Sequence, residues 1–335
     1  MNKILKLSNK ELKQLIQNAA LRLHISTAYI EKDIWICFIL KYLFNDFKYK
    51  DRIVFKGGTC LSKVYKLINR FSEDIDIALD WTLMGYGKDE PYDHRSKRQQ
   101  EMFNDRLNND TQTFIREEML PIIKNDLSKM LKGKKYKLYI DPKDGHTIRF
   151  EYPKNFTHNS ITQYIRLEIG CIVEPIPSSK HQIDTYIAQV FPEEFSDDIK
   201  VVAMDSLRNF YEKLTILHKE ANRINGNWPS RYSRHYYDVY KMIQTDLREK
   251  SFENLDLLAS VIKFNNKFYT CNWDHIDQML EGKMKLIPPT DGIQAFRENY
   301  LLTEHMLFGE IMTFDEILNS LAEYQEEFNN SIKNK

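Results

Sequence analysis

The chain has 335 residues, of which 42% are hydrophobic and 29% charged, and its formal net charge is zero. This composition is typical of a globular protein with a sizeable core, and the length suffices for two domains. The zero net charge excludes a uniformly basic nucleic-acid-binding surface, although it is compatible with a local basic patch.

The N-terminal region predicts helices and a cytoplasmic protein. Residues 8–45 carry apolar side chains at helical spacing, and their longest apolar run, from Ile34 to Leu40, is too short to cross a bilayer. The first residues are charged and lack the apolar core of a signal peptide. Four cysteines lie far apart without metal-ligand spacing, which predicts reduced thiols and a cytoplasmic location.

The next segment combines a glycine turn with two acidic residues on a strand. "RIVFK" predicts a short strand that ends at Gly57 and Gly58, and a helix capped by Thr59 is expected to continue to Ile68. "EDIDIALDW" alternates polar and apolar residues, as a strand does. Residues i and i+2 of a strand share a face, so Asp74 and Asp76 should project together while the intervening isoleucines face the core.

This pattern favours metal-assisted phosphate chemistry. Two adjacent carboxylates repel each other unless a cation lies between them, and Mg²⁺ prefers carboxylate oxygens, water and phosphates. Two such ions, roughly 4 Å apart, would serve an in-line phosphoryl displacement. Gly57 and Gly58 allow the backbone to approach a phosphate closely. The turn and the Asp pair are therefore expected to hold opposite ends of a nucleoside triphosphate.

The rest of the chain predicts an α/β (α+β) fold in two domains. Residues 100–131 are expected to be helical, residues 136–174 rich in strands, and the chain from Asp205 onward helical again. We therefore predict a mixed β-sheet flanked by helices, with N-terminal helices, in residues 1–200. Residues 201–335 are predicted to form a C-terminal helical domain that completes the cleft for nucleotide and acceptor.

A lysine run follows the predicted helix of residues 100–131. It contains a single acid, Asp126, among six lysines: Lys124, Lys129, Lys132, Lys134, Lys135 and Lys137. Such a run is either a solvated helix end and turn or a contact for a phosphate backbone, which needs only a few well-placed lysines.

Several segments carry a resemblance to a known family. "FKGGTCLSK" and "RFSEDIDIAL" resemble the AbiEii/AbiGii toxin family of nucleotidyltransferases, within the DNA polymerase beta-like nucleotidyltransferase superfamily. "YIEKDIW", "FYEKLTILHKEA" and "RYSRHYYDVY" are similar to other blocks of the family, so the resemblance spans most of residues 29–240. "GGTCLSK" lacks the Gly-Lys-Ser/Thr ending of a Walker A loop, which excludes a P-loop.

The resemblance implies a nucleotidyltransferase core and transfer of a nucleoside monophosphate from a triphosphate to an acceptor hydroxyl, with Mg²⁺, or alternatively Mn²⁺, as cofactor. It favours the tRNA 3′ end as acceptor, with a protein side chain second. It also implies the toxin of a bacterial toxin–antitoxin or phage-defence system, with a cognate antitoxin as a further partner. The alternatives are a non-catalytic nucleotide- or RNA-binding module or sensor, and a metal-dependent glycosyltransferase that uses its Asp-Ile-Asp.

Within this reading, Asp74 and Asp76 are the metal ligands and catalytic residues. Glu168 is the candidate third carboxylate, as metal ligand or general base, although a structural pair with Arg166 on the same strand face is equally open. Lys213 is expected to neutralise charge on the triphosphate, unless it only extends its apolar stem along the helix surface.

The expected nucleotide-binding residues come from four separate segments. Arg231, Arg234 and Asp238 share a helix face. Either the arginines contact nucleotide or RNA while Asp238 orients Lys213 or an arginine, or Arg234 and Asp238 form an ordinary surface ion pair. Ser72 is expected on the same side as Asp74, within reach of a phosphate. Lys56 and Lys63 are either ordinary surface lysines, which is the favoured interpretation, or phosphate contacts. The full expected set is Gly57, Gly58, Thr59, Ser72, Lys213, Arg234 and Asp238.

Overall fold

A computed structural model shows two compact units, each formed by two stretches of chain. The first unit contains Met1–Val64 and Ser72–Met204, and the second contains Tyr65–Phe71 and Asp205–Lys335. The seven residues Tyr65–Phe71 thus group with the C-terminal half of the chain. The structure describes residues 1–158, 161–196, 198–224 and 226–334.

The first unit is built on a mixed sheet with, in the described residues, the strand order β3-β4-β5-β2-β1-β7-β6. Strand β2 runs parallel to β5 and antiparallel to β1, and β1 runs parallel to β7. The strands are β1 (Ile53–Lys56), β2 (Asp74–Leu79), β3 (Lys137–Asp141), β4 (Asp144–Glu151), β5 (Ile165–Gly170), β6 (Ser178–Ile183) and β7 (Ile199–Met204).

The helices of the first unit lie around this sheet. Capping boxes start two of them, with Ser8 and Glu11 at one helix and Ser96 and Gln99 at the other. The helices are α1 (Asn2–Lys6), α2 (Asn9–Leu23), α3 (Thr27–Lys41), α4 (Gly57–Lys63), α5 (Lys97–Phe114), α6 (Leu120–Met130), α7 (Tyr186–Val190) and α8 (Pro192–Phe195), with π-helical turns at Tyr42–Asp46 and Ile115–Met119 and 3₁₀ turns at Lys50–Arg52, Trp81–Met84 and Glu90–Tyr92.

Helix α3 forms the centre of the first unit's core. It is buried on all sides, since every residue from Ala28 to Leu40 is buried. Its Trp35 ring packs edge-on against Phe150 of β4, at 5.9 Å between centroids, and stacks against Tyr152 at 6.2 Å. The apolar face of the sheet therefore packs on α3, and the opposite face of β2 carries the acidic residues.

The second unit is helical in its described residues. Phe210 packs against Tyr324 and Tyr236 against Phe296, with centroid separations of 5.9 and 5.1 Å. A single backbone bridge joins Arg70 to Leu307. The helices are α9 (Ser206–Ala221), α10 (Ser233–Met242), α11 (Leu247–Glu253), α12 (Leu255–Phe268), α13 (Thr290–Leu301) and α14 (Phe314–Lys333), with 3₁₀ turns at Ile276–Glu281 and Glu304–Met306.

The predicted mixed α/β fold with a helical C-terminal part is confirmed, and two local expectations were wrong. The helix after the glycine turn ends at Lys63 rather than Ile68, because Lys66 adopts a left-handed backbone with φ of 55°. Strand β6 was not expected because its sequence, "SSKHQI", is mostly polar. It lies at the sheet edge, where polar side chains are common. Among the described residues, no helix is long and apolar enough to cross a membrane.

Candidate active site

The two carboxylates of β2 share one face of the sheet, as the alternation predicted. Asp74 and Asp76 are half-buried, whereas Ile75 and Ile77 are fully buried. The isoleucines anchor the strand in the core, so its open face is defined at both acidic positions.

Gly57 brings the backbone against one of these carboxylates. Lys56, the last residue of β1, pairs with Asp76 of β2, and α4 begins at Gly57. Gly57 has a φ of 75°, and a Cβ atom there would collide with the carboxylate of Asp76. Only glycine meets both demands, the left-handed backbone and the close approach.

Glu168 lies beside the same pair, on the opposite side from β1. In the parallel pairing of β2 and β5, Glu168 is the partner of Asp76, and Arg166 is the partner of Asp74. Glu168 therefore projects to the face of the two aspartates. Its carboxylate is 3.1 Å from the Arg166 guanidinium, so the expected ion pair is present alongside the carboxylate cluster.

This crowding changes the protonation of the cluster. Burial, followed by the negative charges of Asp76 and Asp74, raises the pKa of Glu168 from 4.5 to about 7. Burial and the neighbouring Glu73 and Asp76 also raise the pKa of Asp74. Each carboxylate would ionise more readily if a cation offset this repulsion.

The donor set fits Mg²⁺ in part. Among the described residues, no group of three or more His, Cys, Asp or Glu side chains is already arranged to enclose a metal ion. However, Mg²⁺ is usually held by one or two carboxylates, with water and substrate phosphates as the other ligands. Asp74 and Asp76 supply carboxylates of this kind beside a glycine turn, which is the chemistry that the ion requires.

Two of the predicted nucleotide-binding residues lie next to the cluster. Thr59 does not cap α4; it is buried, and its hydroxyl donates to the backbone carbonyl of Asp74. It thus links α4 to the start of β2. Ser72 is half-buried and lies two residues before that strand.

Helix α3 carries three buried charged residues, Glu31, Lys32 and Asp33. Their contacts join α3 to the segments on both sides of the glycine turn and the aspartate pair. Lys32 donates to the Glu73 carboxylate at 2.7 Å, immediately before Asp74. Asp33 pairs with Lys63, the last residue of α4.

The third residue, Glu31, accepts hydrogen bonds from the backbone amides of Asn155 and Phe156 at 2.8 and 2.9 Å. The expectation that Lys63 lies on the surface was wrong, because its ammonium is buried with Asp33 and stacks over the Tyr186 ring at 4.3 Å. The signal in the sequence was "EKD" inside an otherwise apolar helix.

In the second unit, Lys213 and Asp238 form a buried ion pair at 2.8 Å. Asp238 also accepts two hydrogen bonds from Arg70, at 2.6 and 2.9 Å, so one carboxylate holds two cations. Both cations hold the pKa of Asp238 well below its usual range, despite its burial. Arg70 was not expected here.

The alternative of a surface pair between Arg234 and Asp238 was wrong, because Asp238 is fully buried and Arg234 donates to the carbonyl of Arg231. His235 lies 3.4 Å from the Lys213 ammonium, and burial and that charge lower its pKa. His218 accepts a hydrogen bond from the amide of Lys285 in a buried setting, which is a packing role.

Comparison with known protein families gives a match over most of the chain. The family described as nucleotidyl transferase AbiEii toxin, type IV toxin–antitoxin system, matches residues 39–320. The chain belongs to this AbiEii toxin family. It is therefore a nucleotidyltransferase, as the resemblance implied.

Other comparisons add little to the family assignment. Among solved structures, MenT4, a nucleotidyltransferase toxin from Mycobacterium tuberculosis H37Rv, is similar over 96% of this chain and 98% of that chain, with a TM-score of 0.47 and 13% sequence identity. A search of curated proteins found no match.

The buried pair of Lys32 and Glu73 generates a stability prediction for this AbiEii-family enzyme. Lys32→Met leaves a buried carboxylate without its cation, and we expect the free energy of unfolding to fall by about 3–5 kcal/mol. Replacing both residues, as Lys32→Met with Glu73→Leu, should restore most of it, because neither member of the pair then leaves an uncompensated buried charge. Denaturant unfolding measures both changes.

The surface pair of Lys48 and Glu118, at 3.9 Å with side chains 58% and 51% exposed, is the matched control. Lys48→Met should change the free energy of unfolding by less than about 1 kcal/mol. If Lys32→Met lowered the free energy of unfolding by as little as this, the conclusion that Lys32 and Glu73 form a buried ion pair would be contradicted.

Glu168 generates a prediction about pH. Its folded pKa of about 7 lies above the ordinary 4.5, so its contribution to stability is complete below pH 4.5 and is lost as the pH rises to 7. Chelator-treated protein should therefore lose free energy of unfolding across this interval, and Glu168→Gln should reduce the loss.

Glu151 is a control of opposite sign, because a hydrogen bond from Tyr139 lowers its pKa. The contribution of Glu151 to stability is present above its ordinary pKa and is lost as the pH falls. Glu151→Gln should therefore leave the change in the free energy of unfolding between pH 4.5 and about 7 the same as in wild type. An identical pH profile for Glu168→Gln and wild type would contradict the raised pKa.

Proposed function

We propose that the protein transfers a nucleoside monophosphate from a nucleoside triphosphate to an acceptor hydroxyl in a Mg²⁺-dependent reaction, with Mn²⁺ as a possible substitute. The observation that carries this proposal is the placement of Asp76. The Gly57 backbone approaches Asp76 from β1, and Glu168 is its neighbour on β5. The glycine turn after β1, the aspartate pair of β2 and Glu168 of β5 therefore lie side by side across three adjacent strands, which supports their roles as phosphate contact, metal ligands and base.

Each predicted site residue of the first unit has a role in this proposal. Asp74 and Asp76 would hold Mg²⁺, which when bound neutralises phosphate charge and aligns the reacting groups. Gly57 and Gly58 offer backbone amides to the triphosphate. The Thr59 hydroxyl fixes α4 against β2, and Ser72 is proposed to contact a phosphate.

In the transfer step, the acceptor oxygen bonds to the α-phosphorus and the bond to the β-phosphate bridging oxygen breaks, which releases pyrophosphate. The proton of the acceptor hydroxyl passes to Glu168. Glu168 is the candidate because it is the neighbour of Asp76 on the adjacent strand, and a general base must lie within hydrogen-bond reach of the proton that it takes.

For the second unit, we propose that Lys213 binds a phosphate of the nucleotide and neutralises its charge. Asp238 holds the Lys213 ammonium in place and, because it is fully buried, acts through Lys213 rather than by touching the nucleotide. Arg234 is proposed as a further nucleotide contact.

For the acceptor, we propose the 3′ end of tRNA before a protein side chain. We further propose that the protein acts as the toxin of a bacterial system with a cognate antitoxin, in agreement with the description of its family as toxins of type IV toxin–antitoxin systems.

The metal assignment predicts that Asp76→Asn lowers kcat by about 100-fold or more, the scale at which a single electrostatic contact to a developing charge matters. The melting temperature should stay the same or rise, because one repelling charge is lost. Transfer of a labelled triphosphate across a Mg²⁺ titration measures kcat.

The matched control for this variant is Asp80→Asn, at the other end of the same strand region. Asp80 pairs with Arg52 at 2.8 Å and lies outside the cluster, so its loss should leave transfer intact. Full activity of Asp76→Asn would refute the metal assignment.

The acceptor assignment predicts which macromolecule becomes labelled. Incubation of the protein with each α-labelled triphosphate, Mg²⁺, bulk tRNA and total protein should place the label in tRNA. Periodate oxidation of the tRNA 3′ terminus should abolish labelling, because no terminal hydroxyl then remains. Label found only in protein would favour the side-chain acceptor instead.

A further inference from the structure

A strongly basic cavity lies beside the sheet of the first unit. It has a volume of about 800 Å³ and is bordered by the loop before β3 and the residues that follow β4. Four lysines line it, with a single acid, Glu151. The lysines are Lys134, Lys135, Lys137 and Lys154. We call this feature the lysine cavity.

Most of this positive charge is not offset by nearby acids. Glu151 is 3.3 Å from the Lys137 ammonium and accepts a hydrogen bond from Tyr139 at 2.7 Å, so it balances Lys137. Lys134, Lys135 and Lys154 form no salt bridge with any carboxylate in the parts of the chain that the structure describes. The cavity therefore presents about three unbalanced cations to an anionic ligand.

Aromatic rings form one wall of the lysine cavity. Tyr136 lies between the lysines in sequence, is half-buried, and packs edge-on against Phe150 at 6.0 Å between centroids. Tyr152 is buried against Trp35 of α3. The half-buried Tyr136 ring, held in place by this packing, gives a base a surface for stacking, and lysines beside such a surface suit a phosphate backbone.

The lysine cavity lies at the same end of the strands as the carboxylates. Lys137 and Glu151 project to the face of the carboxylates, whereas Tyr136 and Tyr152 lie on the face that packs on α3. Lys137 pairs with Glu151 at the start of β3 and the end of β4, and Arg149 of β4 pairs with Arg166 of β5. Arg166 in turn pairs with Asp74. Three strand spacings, about 14 Å, separate β3 from β2, the length that about four phosphates of one strand occupy along a duplex.

A second cavity of the same unit has a different character. Its volume is about 930 Å³, and it is bordered by the start of β1 and the end of β2, at the opposite end of the strands. Its lining balances cations with an equal number of acids: Lys50, Arg52, Lys88 and Lys180 against Asp51, Asp80, Asp89 and Glu174. The excess of positive charge thus distinguishes the lysine cavity from this second cavity, since a general lysine-rich surface would charge both.

We propose that the lysine cavity binds the sugar-phosphate backbone of the acceptor RNA and orients its 3′ end toward Asp74 and Glu168. This inference rests on the proposed function and adds the surface that the acceptor occupies. Tyr136 favours a nucleic acid over an acidic protein, because a base stacks on its ring while the lysines contact the flanking phosphates.

The test removes the three unbalanced charges together, as Lys134→Gln, Lys135→Gln and Lys154→Gln. Binding of fluorescently labelled bulk tRNA should weaken, and the slope of log Kd against log salt concentration should fall by about 2, since each contact to a single-stranded phosphate contributes about 0.7. The KM for tRNA should rise while the KM for the triphosphate stays unchanged.

The matched control neutralises three exposed lysines of the second cavity, as Lys50→Gln, Lys88→Gln and Lys180→Gln. This control changes the net charge by the same amount at the other end of the strands. Its slope of log Kd against log salt concentration should equal that of wild type. Equal salt slopes for the two triple variants would overturn the proposal. It would also be overturned if the first triple variant bound an acidic protein more weakly than wild type does but bound tRNA as tightly as wild type does.

These outcomes differ from a failure of the proposed function itself. If wild-type protein transfers no label to any RNA, the RNA acceptor is wrong whatever the variants bind. If wild type labels tRNA and the first triple variant does so with unchanged KM and salt slope, only the assignment of the lysine cavity is wrong.

Discussion

The first unit depends on three charges that an apolar helix places inside the core. A buried ion without a partner costs several kcal/mol, so Glu31, Lys32 and Asp33 constrain whatever packs around α3. Their partners are the residue before β2, the end of α4 and the loop after β4. One turn of helix thereby fixes both the strand that carries the acids and the helix that begins at the glycine turn.

The active-site face, in contrast, accumulates charge that the protein alone does not offset. Burial and the charges of Asp76 and Asp74 raise the pKa of Glu168, burial with Glu73 and Asp76 raises that of Asp74, and Arg166 pairs with Glu168 on the same face. Lys32 and Glu73 neutralise each other beneath it. The cluster therefore favours a positively charged ligand. Without one, the repulsion between its carboxylates is offset by the packing of α3 against the sheet.

The sequence reveals the features of this protein that depend on local periodicity. A period of two placed Asp74 and Asp76 on one face and predicted the pairing of Arg166 with Glu168, because both depend only on neighbours along one strand. Residues paired across long separations were missed. Arg70 meets Asp238 from 168 positions away, and Lys63 of α4 meets Asp33 of α3. Neither contact leaves a periodic signal in the sequence. The roles assigned to Lys213 and Arg234 came from family resemblance and stay predictions.

The short excursion of Tyr65–Phe71 into the second unit has a consequence for how the protein is made. Arg70 leaves the ribosome 168 residues before Asp238, a delay of about 10–30 s at ordinary rates of translation. During this interval the nascent chain already contains the glycine turn and both aspartates, but lacks the carboxylate that pairs Arg70 with Lys213. The ion group of Arg70, Lys213 and Asp238 in the second unit therefore cannot form until late in synthesis.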